Sequence, residues 1–140
     1  MSEIGNTNQQ QILELRIFLA GFCARLAARR ITETQIERME ALVHSFDVGH
    51  GGDDGALLDI DRAFQCLLYE AADNSYLTRR LESLCDLSPA DRSPIPNPIK
   101  RDRSTIERLG RLIEALRRGD ELAAETIVRE HIVQSEGRSG

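Results

Sequence analysis

Leu57, Ile60, Phe64, Leu67 and Ala71 fall at i, i+3, i+7, i+10 and i+14. An α-helix gathers such a run onto one side, whereas a strand would scatter it over both faces. The same period returns along the chain. Ile12, Leu15, Leu19, Phe22, Cys23 and Leu26 trace a first helix that ends near Arg30, and Ile36, Met39, Leu42, Val43 and Phe46 trace a second. Leu77, Leu81 and Leu84 mark a fourth, Ile106, Leu109, Ile113 and Leu116 a fifth, and Ala124, Ile127, Val128 and His131 a sixth.

Start and stop signals fall between these stripes. Thr32 and Gln35 form a capping box, with Ile31 and Ile36 as its hydrophobic staple, and Ser104 and Glu107 form a second box. Asn74 caps the fourth helix, Gly119 stops the fifth, and Asp120 starts the sixth. Gly51–Gly55 reads as a flexible connector. All four prolines lie between Ser88 and Lys100, so that stretch is a loop. Tryptophan is absent and aromatics make up 4% of the chain, so the core is aliphatic, which favours packed helices over a sheet. The 140 residues suffice for one domain and one core. The expected fold is all-α, an antiparallel bundle of about six helices over residues 11–136, with flexible ends at 1–10 and 137–140.

A formal net charge of -5 gives no general attraction for a phosphate backbone, and no aromatic-basic interleaving suits single strands. Direct nucleic-acid binding by this chain is therefore not expected. Cys23, Cys66 and Cys85 are odd in number, widely spaced and without a CxxC pair, which reads as three free thiols in a reducing cytosol. Neither a signal peptide nor an apolar run of membrane length occurs, so a cytoplasmic location is expected.

Phosphate loops, GxGxxG, HExxH and nucleophile elbows are all missing, and an enzyme is not expected. Chemistry must be sought in polar side chains on apolar faces. Asp61 borders the third stripe, with Gln65 one turn further on; a carboxylate there needs a partner, unless it only faces solvent near its helix N-terminus. His131 points inward with Ile127 and Val128, as a core residue or a ligand-binding one. Arg16 sits at the edge of the first stripe, either snorkelling to water or offering its planar fork to a carboxylate. His44 and His50 read as surface residues. The doublets Arg29-Arg30, Arg79-Arg80 and Arg117-Arg118 read as solvating helix ends and complementing their dipoles.

The run from Leu58-Asp59-Ile60-Asp61-Arg62-Ala63-Phe64-Gln65 to Ala71-Ala72-Asp73-Asn74 resembles the signature helix of the FCD domain. This is the effector-binding domain of FadR-type members of the GntR family of bacterial transcription regulators. Glu14-Leu15-Arg16 to Ala27-Ala28 is similar to the family's opening helix. Ile113 to Asp120, followed by Ala123-Ala124 and Arg129-Glu130-His131-Ile132, is similar to its closing helix pair. The resemblance runs from about Gln10 to about Val133 and implies a bundle around a central pocket. It also implies a homodimer in transcription regulation, with a small carboxylic or sugar acid as effector. Many members hold a divalent metal such as Zn, Ni or Mn through one Asp and three His. By position these are Asp61, Gln65, Leu109 and His131, so two imidazoles are replaced and no metal cofactor is expected. Arg16, Asp61, Gln65, Leu109 and His131 are then the expected pocket residues, with Asp61 and His131 the remaining metal candidates. Asp61 is expected to pair with His131. The winged helix-turn-helix that precedes this domain in the family is not expected in this chain. The rival readings are an interaction module with a degenerate pocket and, last, a small metal-dependent enzyme on Asp61 and His131.

Overall fold

A computed structural model describes the backbone of residues 2–49, 54–86 and 103–136, and the side chains within 8–45, 59–84 and 105–133. The described elements are all α-helices: α1 Ser2–Arg30, α2 Glu33–Gly49, α3 Asp54–Ala72, α4 Ser75–Asp86, α5 Arg103–Arg117 and α6 Glu121–Glu136. They form a bundle in which α1 packs against α3, α4, α5 and α6. Two starts differ from the expectation. α1 begins at Ser2, well before its apolar stripe, because the polar leading residues contain no proline to stop backbone hydrogen bonding. α3 begins at Asp54 and takes up Gly55, which a helix tolerates at modest cost.

The joints follow the local chemistry. Thr32 N–H donates to Gln35 Oε1 at 3.0 Å and Gln35 N–H to Thr32 Oγ1 at 3.2 Å, a complete capping box. Asn74 Oδ1 accepts from Leu77 N–H at 3.0 Å, and Asp120 Oδ1 from Ala123 N–H at 3.1 Å. Gly119 has φ +67°, the left-handed conformation that a residue without Cβ adopts at no steric cost. Its N–H reaches Leu116 O at 3.0 Å while Asp120 N–H reaches Ala115 O at 2.9 Å, closing α5 with a Schellman turn. The side chains of Phe46, Leu57, Cys85 and Ser104, and all of His50 and the proline-bearing stretch, lie outside what the structure describes.

The core is mostly aliphatic, with Phe64 the aromatic side chain buried in it among the described residues. Met39, Leu81, Leu116 and Cys23 are its largest fully enclosed side chains, and Ala24, Ala27, Ala71 and Ala72 let helices approach closely. Ile106, Leu109, Ile113 and Leu116 are all buried. Leu15 and Phe22, assigned to the inner stripe of α1, are instead exposed together with Phe18. The buried side of α1 runs through Arg16, Ala20, Cys23, Ala24, Leu26 and Ala27, so mostly small residues face inward while Leu15, Phe18 and Phe22 face outward. Close packing against α6 explains the choice, since a Cβ on Gly21 would stand 3.0 Å from Glu125 Cγ.

The arginine doublets do more than solvate helix ends. Arg30 Nη1 donates to the carbonyls of Ala72 at 2.7 Å and Asp73 at 3.1 Å, which serves the C-terminus of α3 rather than its own helix. Arg29 pairs with Glu121 at 2.8 Å, and Arg117 pairs with Glu40 on α2. Arg79, Arg80 and Arg118 are exposed.

Candidate functional site

Salt bridges between helices set the level of each side chain along the bundle. Arg29 meets Glu121 and Arg25 meets Glu125, so α1 and α6 run antiparallel. Carrying that register along α1 brings His131 level with Leu19. The contact of Arg30 with the end of α3 carries Asp61 to the same level. Arg16 lies three residues away on α1, about 4.5 Å along the axis. It is 7% exposed and faces the bundle, so this arginine is buried rather than snorkelling.

The sequence-predicted pair is formed. His131 Nε2 lies 3.1 Å from Asp61 Oδ1, and both side chains are mostly shielded, at 23% and 28% exposure. The second ring nitrogen meets a residue that the sequence reading passed over: Arg108 Nη1 is 3.2 Å from His131 Nδ1. A guanidinium can only donate, so Nδ1 accepts and the ring proton sits on Nε2, which donates to the Asp61 carboxylate. The result is a chain of hydrogen bonds, Arg108 to His131 to Asp61, that crosses α5, α6 and α3. It orients the ring and holds a buried cation near a carboxylate.

Arg108 is 8% exposed and lies on the inner side of α5 with Thr105, Leu109 and Leu112. Burial is the main influence lowering its pKa, the charge on Arg111 adds to it, and Glu130 and Asp61 oppose it. Arg16 Nε and Arg108 Nε are buried and make no hydrogen bond, while both side chains keep other polar or electrostatic interactions. Gln65 follows Asp61 by one turn of α3 and is half-buried. Leu109 is part of the apolar core and places no polar atom beside the pair. The structure thus brings Asp61 and His131 together, sets Arg16 within a turn of their level, and adds Arg108 and Thr105. The available signal was the spacing Thr105, Arg108, Leu112, Ala115, which widens the α5 stripe to include an arginine.

His44 is exposed, as expected. Two open grooves flank the outer side of α5. One, of about 590 Å³, lies against Glu40, Val43 and His44 of α2; the other, of about 610 Å³, lies against Ala123 and Ile127 of α6. Neither is lined by Asp61, Arg108 or His131.

Residues 11–134 match the FCD domain family. The chain belongs to that family. FCD domains are generally the effector-binding part of GntR-type transcription regulators, not an enzyme family. Among solved structures, the GntR protein of Streptococcus agalactiae is 26% identical, with a TM-score of 0.66 over 94% of this chain and 59% of its own. McbR/YncC of E. coli is 20% identical, with a TM-score of 0.74 over 94% of this chain and 65% of its own. The present FCD domain therefore spans less than two-thirds of the length of either relative, and the second likeness speaks for the fold alone. No curated protein sequence matches the chain. No helix among the described residues is long and apolar enough to cross a membrane.

Proposed function

We propose that this FCD domain senses a small organic or sugar acid and transmits its occupancy to a DNA-binding partner domain. The observation that carries the reading is the polar cluster between the helices. Arg16 and Arg108 are buried in an aliphatic bundle, near the level of the Asp61–His131 pair. Burying cations costs several kcal/mol each unless they are compensated, so a fold keeps them where they bind or orient something. A guanidinium suits a carboxylate in shape and charge. The cluster ties α3, α5 and α6 together, so an acid that competes for Arg108 would shift the balance between helix arrangements. On this reading the domain works in the cytoplasm as a homodimer and makes no nucleic-acid contact itself.

Thermal unfolding of chelator-treated protein with a panel of organic and sugar acids tests the proposal. An acid at 100 times its dissociation constant stabilises by about 2.7 kcal/mol. That shift should be lost in Arg16→Ala or Arg108→Met. A shift retained in both variants, or none across the panel, refutes it.

One observation favours a second reading, an interaction module. Leu15, Phe18 and Phe22 form an exposed apolar stripe on α1, with Phe18 62% exposed. A dimer that is stable in sedimentation, disrupted by Phe18→Glu and indifferent to every acid would support it.

A further inference from the structure

His131 has two ring nitrogens, and both are occupied within the protein. Nε2 faces Asp61 at 3.1 Å and Nδ1 faces Arg108 at 3.2 Å. An imidazole binds a metal through a ring-nitrogen lone pair, and its remaining nitrogen usually donates to an acceptor. Here the lone pair is on Nδ1, where the Arg108 guanidinium lies. A metal ion at Nδ1 would need to share that space with a fixed positive charge. The neighbouring positions do not help. Leu109 has no donor atom, Gln65 offers at best a carbonyl oxygen, and a structural zinc site wants four N, S or carboxylate ligands. Among the described residues no group of three His, Cys, Asp or Glu side chains could hold a metal.

We propose that Arg108 is the resident cation of this site: it blocks metal at His131 and supplies the positive charge to which an acid's carboxylate binds directly. The inference deepens the sensing reading by naming the group that meets the acid, and it makes recognition independent of divalent metal. Arg108 then decides specificity between two kinds of site. With it, the lone pair of His131 is an acceptor for a guanidinium; without it, that lone pair opens toward α5.

Zinc alone is the probe, titrated calorimetrically into chelator-treated protein at neutral pH. The wild-type chain should show no micromolar binding that depends on His131. Gln65→His with Leu109→His adds imidazoles one turn from Asp61 and beside Arg108. Zinc should bind this double variant at least tenfold more weakly than the triple variant that also carries Arg108→Met. Micromolar binding by the wild type that is lost in His131→Ala would overturn the proposal. So would a folded triple variant, checked by circular dichroism, that binds zinc no better than the double. Nitrogen NMR of the wild-type imidazole needs no substitution. It should show His131 protonated at Nε2, bare at Nδ1 and unmoved by stoichiometric zinc; the opposite tautomer or a zinc-induced shift would overturn the assignment. Failure to find an acid ligand would count against sensing and leave these zinc results unchanged.

Discussion

Asp61→Ala removes the carboxylate that accepts the Nε2 proton of His131 and faces the buried charge of Arg108. The contact is 3.1 Å long and about three-quarters shielded on both sides. A hydrogen bond to an ionised group contributes about 1.5–3 kcal/mol when buried, so roughly 2 kcal/mol is expected here after some screening. For a domain of this size that corresponds to a fall in Tm of roughly 6 °C. Asp61→Asn keeps an acceptor for the same proton and loses only the charge, so it should cost about half as much. The decisive assay is a double-mutant cycle with His131→Ala, read by urea unfolding. If the two side chains act on each other, Asp61→Ala costs at least about 1 kcal/mol less once His131 is gone. A coupling below about 0.5 kcal/mol, or Asn costing as much as Ala, would refute the hydrogen-bond chain and leave Asp61 as an ordinary residue of the first turns of α3.

Two glycines of α5 and its closing turn should answer the same substitution with opposite signs. Gly110 is helical and a Cβ there meets nothing within 4 Å, so Gly110→Ala should stabilise by about 0.5–1 kcal/mol, whereas Gly119→Ala at φ +67° should destabilise by about 1 kcal/mol; thermal unfolding separates them. Burial pushes the Cys23 thiol up to about 12 from 9.0, whereas Cys66 is exposed, so a thiol reagent should label Cys66 quickly and Cys23 only at the rate of unfolding. Between those two values the unfolded chain releases the Cys23 proton and the folded one holds it. Cys23 therefore subtracts stability as pH rises above 9.0, by up to about 1.4 kcal/mol per unit, and that slope should vanish in Cys23→Ala. Asn74→Ala and Asp120→Ala each remove a side-chain acceptor from a helix start and should each cost about 1 kcal/mol in urea unfolding.

Most of the fold was legible because helices announce themselves locally. The capping box at Thr32, the cap at Asn74 and the stop at Gly119 each depend on residues within a turn of one another, and each is found where its pattern lies. What failed was the inward side of α1. Counting apolar residues put Leu15 and Phe22 in the core, but α6 lies so close to Gly21 that the face toward it takes mostly small residues, a constraint set by a helix far away in the chain. The site divided in the same way. The pairing of Asp61 with His131 was expected from the FCD resemblance, which assigns both residues to one pocket, and not from the stripes alone. Arg108 could not be recognised from its stripe, because an arginine next to a buried stripe usually sends its charge to water. Its burial follows from the meeting of α3, α5 and α6, where an imidazole acceptor and a carboxylate stand in line for a guanidinium. With no imidazole at Leu109 or Gln65, the Asp61 carboxylate beside His131 still calls for a positive charge, and the Arg108 side chain from α5 is the group placed to provide it.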